Sequence, residues 1–288
     1  MKKILFLAAL PLVFGALSTL TPSLSVHAAD AVDTTPNFDE DFDEYSTTGT
    51  GEQLASKWTN GYFEKTGDNN ETACNLERFS VQKDPTNATN TCLLIDTETP
   101  NESFFYLTMK GIFVKNFTLT YDYYPLYSSG APWAGITCRK PVDGRYNGVT
   151  NVMLDHRLWS ADSISPDFYR SVDDSQTSVA MTGYDGTGSA SGYGPGVDGF
   201  AGVNQTWLHI KFEVSEANFA LSINGHGLAK AVVNKATALH YGLVSLVSCV
   251  NKGYFDNIHL ENLDTEPYTP SSSSSGTAIQ APSVDPSQ

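Results

Sequence analysis

Two predicted strands, 134–140 and 149–159, carry side chains of the types that bind sugars. Successive side chains of a strand point to opposite faces, so residues two apart share a face. If Ile136, Cys138, Val152 and Leu154 face the core, the other face carries Thr137, Met153 and four candidate ligand-binding residues, which are Arg139, Asp155, Arg157 and Trp159. Planar polar groups hydrogen-bond to sugar hydroxyls, and an indole stacks on the C–H face of a pyranose. The alternation therefore predicts a sugar-binding face on two neighbouring strands.

Aromatic residues in two loops are candidates for the walls of that face. Trp133 lies in the segment SSGAPWAG, and Tyr184 and Tyr193 lie in the glycine-rich stretch 173–202. This stretch is poor in aliphatic residues and predicts a long loop or a loose hairpin. Long loops in compact domains are often functional.

Plainer interpretations of the same residues stay open. Trp159 could be buried beneath the long loop, and Arg139 could form an ordinary cross-strand ion pair with Asp155. The sequence has no Glu-x-Asp-x-x-Glu pattern, no Gly-x-Ser-x-Gly elbow and no His-x-x-x-His pair. These absences disfavour a hydrolase of known pattern, but a lyase that uses Tyr, His and Arg is still possible.

The elements that position these residues are predicted to be antiparallel strands. Apolar residues fall at every second position over 208–214 and again over 219–223, and Asn224-Gly225 follows as a reversal that tolerates positive φ. Similar patterns predict strands at 38–42, 92–95, 104–108 and 116–124. Sustained 3.6-residue apolar spacing is missing, so we expect very little helix.

The order of parts in the last third of the chain resembles a known superfamily. Trp207 opens a strand, Asn224-Gly225 closes a hairpin, Gly242-Leu243 begins the next strand, and the run 255–258 reads Phe-Asp-Asn-Ile. This order is similar to that of the concanavalin A-like lectin/glucanase jelly rolls, which include laminin-G-like modules. The resemblance implies an all-β fold, a two-sheet antiparallel β-sandwich, with Trp58 in the core. The side-chain alternation described above then predicts the glycan on the concave sheet.

The same resemblance implies a structural Ca²⁺ ion. In such jelly rolls the opening acidic strand lies beside the closing strand, and a cation often sits near them. Asp39 or Asp41, together with Asp256, would supply the hard oxygen ligands that calcium prefers. The alternative is that Asp256 only caps a turn.

The N-terminus predicts a secretory signal peptide. Lys2 and Lys3 precede an apolar run over 4–17, and Val26-His27-Ala28 follows with small or permitted residues at the cleavage positions. An uncleaved anchor is the alternative, but the run contains Pro11 and falls short of the about 20 residues that span a bilayer. The predicted organisation is a signal peptide at 1–28, a short leader at 29–37, one β-sandwich domain at 38–264 and a disordered Ser- and Pro-rich tail at 265–288.

The chain is strongly acidic. Its 17 Lys and Arg against 32 Asp and Glu give a formal charge of −15, and removal of a signal with two Lys and no acid leaves −17. Nucleic acid and anionic lipid are bound by clustered Lys and Arg, and the sequence has no such cluster. We therefore expect no nucleic-acid partner and no membrane insertion.

Four cysteines occur in a chain that is predicted to be exported, where disulfides can form. Three pairings are possible. The positions favour Cys74 with Cys92, which flank a local segment, and Cys138 with Cys249, which lie in strand-like stretches. Buried thiols are the alternative.

These observations predict a secreted, monomeric and non-catalytic domain that binds a poly- or oligosaccharide. The main alternative is a polysaccharide lyase or glycoside hydrolase with an unfamiliar active site. A further alternative is an extracellular adhesion module.

Overall fold

The computed structural model describes residues 37–65, 71–74, 76, 79–97, 102–128, 132–140, 151–160, 163–172, 175–178, 180–183, 190–191, 200–233 and 241–266. The predicted signal peptide, all but the last residue of the leader, and residues 267–288 of the tail lie outside these ranges. The described residues form two antiparallel sheets around one apolar core, with one short 3-10 helix at Gly51–Ser56. The predicted all-β sandwich is confirmed.

Ten of the described strands form the first sheet, sheet I. Its order is β13 (Ala190–Ser191), β12 (Ala180–Gly183), β17 (His226–Val232), β16 (Asn218–Ile223), β15 (Leu208–Ser215), β7 (Phe117–Pro125), β19 (Lys252–Asn262), β5 (Thr91–Asp96) and β4 (Ser80–Lys83), with β1 (Phe38–Glu40) paired to β19.

The other nine described strands form sheet II. Its order is β11 (Ser175–Ser178), β10 (Ser163–Val172), β9 (Asn151–Ser160), β8 (Trp133–Lys140), β18 (Gly242–Cys249), β6 (Glu102–Val114), β2 (Trp58–Lys65) and β3 (Glu71–Cys74), with β14 (Phe200–Ala201) paired to β10.

The core lies between the sheets and follows the predicted alternation. On β7, Phe117, Leu119, Tyr121 and Tyr123 are fully buried, and the residues between them are partly exposed. Ile136 and Leu154 of sheet II belong to the same core cluster. Each large apolar side chain that is removed from water in this way contributes about 1.5–3 kcal/mol to stability.

The predicted reversal at Asn224-Gly225 is confirmed. It joins β16 to β17, and both residues have positive φ, 52° and 76°. Asn and Gly tolerate this left-handed conformation, and consecutive positive φ values match the twist of a two-residue hairpin.

Stretch 173–202, predicted as a long loop or a loose hairpin, contains an antiparallel hairpin of β12 and β13, and it has more strand than a long loop. Four short strands, β11 to β14, lie within it. Ser178 pairs with Tyr169 of β10, and Met181 pairs with Ala231 of β17. Backbone pairing with established strands has overridden the weak strand propensity of these small polar residues.

The opening strand lies beside the closing one, as predicted, and a buried carboxylate ties both to the core. β1 pairs with β19, with Phe38 opposite Leu260. The Glu40 side chain is fully buried and accepts hydrogen bonds from the Tyr45 hydroxyl and from Nε1 of Trp58 at 2.9 and 3.1 Å. Trp58 is a core residue, as predicted.

The predicted disulfides are wrong. Cys92, Cys138 and Cys249 are buried thiols, which rules out both pairs. Cys249 lies opposite Trp133, five residues along β8 from Cys138. At about 3.4 Å per residue their Cα atoms are about 17 Å apart, whereas a disulfide needs about 4.4–6.8 Å.

Candidate functional site

The two strands of the predicted sugar-binding face are neighbours in sheet II. β8 pairs with β9, so that Gly135 lies opposite Asp155 and Thr137 opposite Met153. Ile136 and Leu154, which are also opposed, belong to the core. The alternate positions therefore belong to the other side of the sheet, which we name the outer face of sheet II.

Arg139 is not on this face, which corrects the predicted site. Ser245 of β18 is opposite Thr137, whereas Leu243 is opposite Lys140, so two steps on β18 match three on β8. This extra residue is a β-bulge, and Arg139 has a φ of 58° within it. The bulge breaks the alternation, and Cys138 and Arg139 are both fully buried.

The Arg139 guanidinium instead ties β8 to the connection between β6 and β7 and to the turn between β15 and β16. Its Nη2 donates to the carbonyl oxygens of Lys115 and Glu216 at 3.0 and 2.6 Å, and its Cζ lies 5.1 Å from the centre of the Phe219 ring. Burial lowers the pKa of Arg139, and the Cys138, Glu216 and Asp264 side chains partly offset this effect. Arg139 is also not opposite Asp155, because the residue of β8 opposite Asp155 is Gly135.

An aspartate that the sequence patterns did not reveal lies next to the predicted site. Asp167 of β10 is directly opposite Asp155 of β9. The row continues through Gly135 of β8 to Val247 of β18 and Tyr106 of β6. Two carboxylate-bearing residues are thus adjacent, with a residue that lacks a side chain beside them.

Small hydroxyl residues form the next row of the same face. Thr108, Ser245 and Thr137 are consecutive partners on β6, β18 and β8, and all three are buried. The Thr108 and Ser245 hydroxyl oxygens are 2.7 Å apart. The Thr137 hydroxyl has no hydrogen-bond partner among the described residues.

The other predicted ligand-binding residues are placed by backbone alone or not at all. Trp133 lies opposite Arg157, and Trp159 lies two residues farther along β9. The side chains of these three residues and of Asp155 lie outside the described part of the chain, as do Tyr184 and Tyr193 entirely.

The fold resembles that of solved glucanases. A family GH16 protein of the Bacteroides ovatus mixed-linkage glucan locus, in complex with a product, has a TM-score of 0.52 at 11% identity over 77% of this chain and 99% of that chain. The β-glucanase of Bacillus licheniformis has a TM-score of 0.51 at 10% identity over 80% of this chain and 99% of that one. The chain has the concanavalin A-like jelly-roll fold. At these identities the likeness concerns the fold alone.

No protein-family model and no curated protein sequence matches the chain. No helix among the described residues of the jelly roll is long and apolar enough to cross a membrane.

The predicted calcium ligands lie near the β1–β19 pair of the jelly roll. Asp39 is opposite His259, and its Oδ1 lies 2.6 Å from the His259 Nδ1. Asp39 and Asp41 line a surface depression of ≈ 330 Å³, in which Asn257 is another lining residue. In the described ranges, no group of three or more His, Cys, Asp or Glu residues is arranged to hold a metal ion.

Asp256 has the electrostatic environment that a cation would relieve. Burial raises its pKa to about 6, donation from Asn90 and Asn257 opposes the rise, and the Asp122 and Asp43 carboxylates add to it. Asn90 Nδ2 donates to the Asp256 Oδ2 at 2.7 Å. This residue is not in the lining of the depression that holds Asp39 and Asp41, so calcium binding by the predicted set remains a prediction.

Calcium is expected to raise the thermal midpoint of chelator-treated protein, because a ligand that binds only the native state stabilises it. At a ligand concentration of 100 Kd this stabilisation is about 2.7 kcal/mol. The Asp256→Asn variant is expected to lose most of this response. Differential scanning calorimetry measures both. A midpoint that neither chelator nor added calcium moves would show that no structural calcium is present.

Proposed function

We propose that this chain is a secreted, non-catalytic carbohydrate-binding domain that recognises a polysaccharide on the outer face of sheet II. The observation that carries the proposal is the pairing of β8 with β9 and β10. This pairing brings Trp133, Asp155, Arg157 and Asp167 to adjacent positions of one sheet.

The chemistry of these positions suits a sugar. Aspartate and arginine offer planar acceptors and donors to hydroxyl groups, and tryptophan offers a flat apolar surface. Gly135 and the hydroxyl row of Thr108, Ser245 and Thr137 give the face a floor of small residues. The solved glucanases of the same fold, one of them in complex with a product, support a glycan as the ligand class.

A glycoside hydrolase is the second candidate, and one observation favours it. Asp155 and Asp167 are directly opposed. Opposed residues of an antiparallel pair have Cβ atoms about 4.5–5.5 Å apart. Retaining glycosidases use two carboxyl groups about 5–5.5 Å apart. The sequence, however, lacks the Glu-x-Asp-x-x-Glu pattern of the superfamily's glucanases.

Incubation of the secreted protein with a panel of polysaccharides separates the candidates. Affinity electrophoresis measures retention, and assays for reducing ends and unsaturated sugars measure cleavage. We expect retention by at least one polysaccharide without product. Products would establish the enzyme, and neither retention nor product would leave protein adhesion as the function.

A further inference from the structure

Aromatic side chains form a row on the outer face of sheet I, which is the face that points away from the core. Tyr123 of β7 and Phe255 of β19 belong to the core, so their neighbours Tyr124 and Tyr254 point outward. These two tyrosines are directly opposed, and their ring centres are 6.1 Å apart. Trp207 precedes β15 and lies on the other side of Tyr124, with the two ring centres 5.3 Å apart. The three rings therefore span the width of β15, β7 and β19.

This row is partly open to solvent. Trp207 and Tyr254 are each partly exposed, and Tyr124 between them is 7% exposed. Leu94 of β5 is opposite Tyr254, is also partly exposed and extends the row by one strand. Single exposed apolar side chains are common on protein surfaces, whereas a contiguous apolar strip with a polar rim is typical of a binding surface. We name Trp207, Tyr124, Tyr254 and Leu94 the aromatic strip.

The Trp207 indole is held in place by the connection between β4 and β5. Its Nε1 donates to the Asp84 Oδ1 at 3.2 Å and to the Thr86 Oγ1 at 3.1 Å. Asp84 in turn accepts a hydrogen bond from the Thr86 backbone N–H at 2.7 Å. Because the indole N–H is already bonded, the ring has only apolar surface left for a ligand. A ring that is already fixed also loses little freedom when a ligand binds.

A row of hydrogen-bonding groups runs beside the aromatic strip. His209 is opposite Asp122, two residues along β15 and β7 from Trp207 and Tyr124. The His209 Nδ1 lies 2.9 Å from the Asp122 Oδ1, and the Asn257 Nδ2 donates to the Asp122 Oδ2 at 2.8 Å. His209 and Asn257 are exposed, and these bonds do not use the His209 Nε2 or the Asn257 Oδ1. Such polar groups bind sugar hydroxyls, and aromatic rings bind the C–H face of a pyranose.

Charge limits the class of glycan that this face can bind. Asp84 and Asp122 border the aromatic strip on one side, and Asp96 lies on the other side, two residues from Leu94 on β5. The Lys252 ammonium is paired with the Asp96 carboxylate at 2.8 Å. Uronate or sulfate groups would therefore meet carboxylates on both sides of the strip, and like charges brought together disfavour binding. A neutral glycan meets no such repulsion.

We propose that the aromatic strip of sheet I binds a neutral polysaccharide. Pyranose rings stack on Trp207 and Tyr254, and their hydroxyls hydrogen-bond to His209, Asp122 and Asn257. The inference keeps the ligand class of the proposed function and adds a second surface, because sheet I lies on the opposite side of the core from the outer face of sheet II. The two surfaces share no residue, so each can be tested without the other.

The Trp207 side chain supplies a direct readout. The chain has four tryptophans, and the indole N–H resonance that disappears in Trp207→Phe belongs to Trp207. The isotope-labelled parent is titrated with cellohexaose, laminarihexaose, xylohexaose and mannohexaose, which are neutral, and with hexagalacturonate. We expect at least one neutral hexasaccharide to shift this resonance and the Tyr254 amide, and hexagalacturonate to shift neither. No shift with any neutral hexasaccharide, or an equal shift with hexagalacturonate, would overturn the proposal.

Substitutions separate a sugar platform from ordinary packing. Tyr254→Ala is expected to weaken binding of the same hexasaccharide about tenfold, as read from the Trp207 resonance. Tyr254→Phe keeps the ring and should bind like the parent. Tyr241→Ala, which replaces a partly exposed tyrosine just before β18 of sheet II, is the matched control and keeps the parent affinity. Circular dichroism checks that each variant folds, and unchanged affinity in folded Tyr254→Ala would refute the stacking role.

The same titration distinguishes this inference from the proposed function. The Gly135 and Asp167 amides report on sheet II, and the Trp207 indole reports on sheet I. Shifts at Trp207 alone would contradict the sheet II site and support the aromatic strip. Shifts at Gly135 and Asp167 alone would support the sheet II site and contradict the aromatic strip.

Discussion

Replacement of Arg139 by alanine is expected to lower the free energy of unfolding by about 3–5 kcal/mol. The substitution leaves buried carbonyl groups without hydrogen-bond donors and removes a large core side chain. The Arg139 Nη2 donates to the Lys115 and Glu216 carbonyl oxygens, and the guanidinium lies over the Phe219 ring. These contacts join the β-bulge of sheet II to the β6–β7 connection between the sheets and to the β15–β16 turn of sheet I. The Arg139 side chain thus links the two sheets at one end of the sandwich.

Urea denaturation of the parent and of Arg139→Ala measures this loss of stability. Arg139→Lys is the informative companion, because a single compact ammonium cannot reproduce the planar fork of guanidinium donors. We expect an intermediate stability for it. Glu213→Ala, at a part-exposed position of β15 where the carboxylate pairs with Lys211, should stay within about 0.5 kcal/mol of the parent. A loss below about 1 kcal/mol for Arg139→Ala would mean that other contacts hold the β6–β7 connection and the β15–β16 turn.

The stability of the protein is expected to fall steeply as the pH drops from about 7 toward 4, because His156 must stay neutral in the fold. His156 is fully buried in the core, and its Nε2 lies 2.7 Å from the Tyr121 hydroxyl oxygen. Burial lowers its pKa to about 3, and a hydrogen bond with its own backbone opposes this shift. In the unfolded chain His156 has an ordinary pKa near 6.5, so below that pH it binds a proton that it does not bind in the folded protein.

The direction and the size of this stability change follow from the linkage between proton binding and folding. Where the unfolded state binds more protons, stability decreases as the pH falls. A histidine pKa depressed from about 6.5 to about 3 removes about 3 kcal/mol between pH 7.5 and pH 4. His156→Gln, which keeps one polar atom near Tyr121, should lose this part of the slope. Urea midpoints of both proteins across that range provide the measurement, and parallel pH profiles would rule out His156 as the acid-sensitive group.

Alternation predicted the strands that have one buried and one wet face. β7 and β15 were predicted directly from the sequence, because every second residue is apolar and neither strand is interrupted by a bulge. The same rule misplaced Arg139, because the bulge in β8 depends on how this strand pairs with β18, more than one hundred residues away. Alternation in one strand carries no information about its partner's register.

The partner of Asp155 was missed for a related reason. β10 contains a proline, Pro166, and mixes polar and apolar residues, so no strand was predicted there. A period-2 reading of this segment would have placed Ile164 and Phe168 in the core and Asp167 on the other face. The Cys138–Cys249 pair failed because the register of β8 with β18 sets the two residues far apart. Sequence separation alone cannot reveal that distance.

Ligand binding on the outer face of sheet II is tested most directly by backbone amide NMR of the isotope-labelled protein, titrated with an oligosaccharide of the polysaccharide that it retains. We expect the largest shift changes at Gly135, Asp155 and Asp167, and little change at Lys211 and Glu261 of sheet I, because packed sheets lie about 10 Å apart. Shift changes confined to sheet I, with β8, β9 and β10 unaffected, would contradict the proposed site.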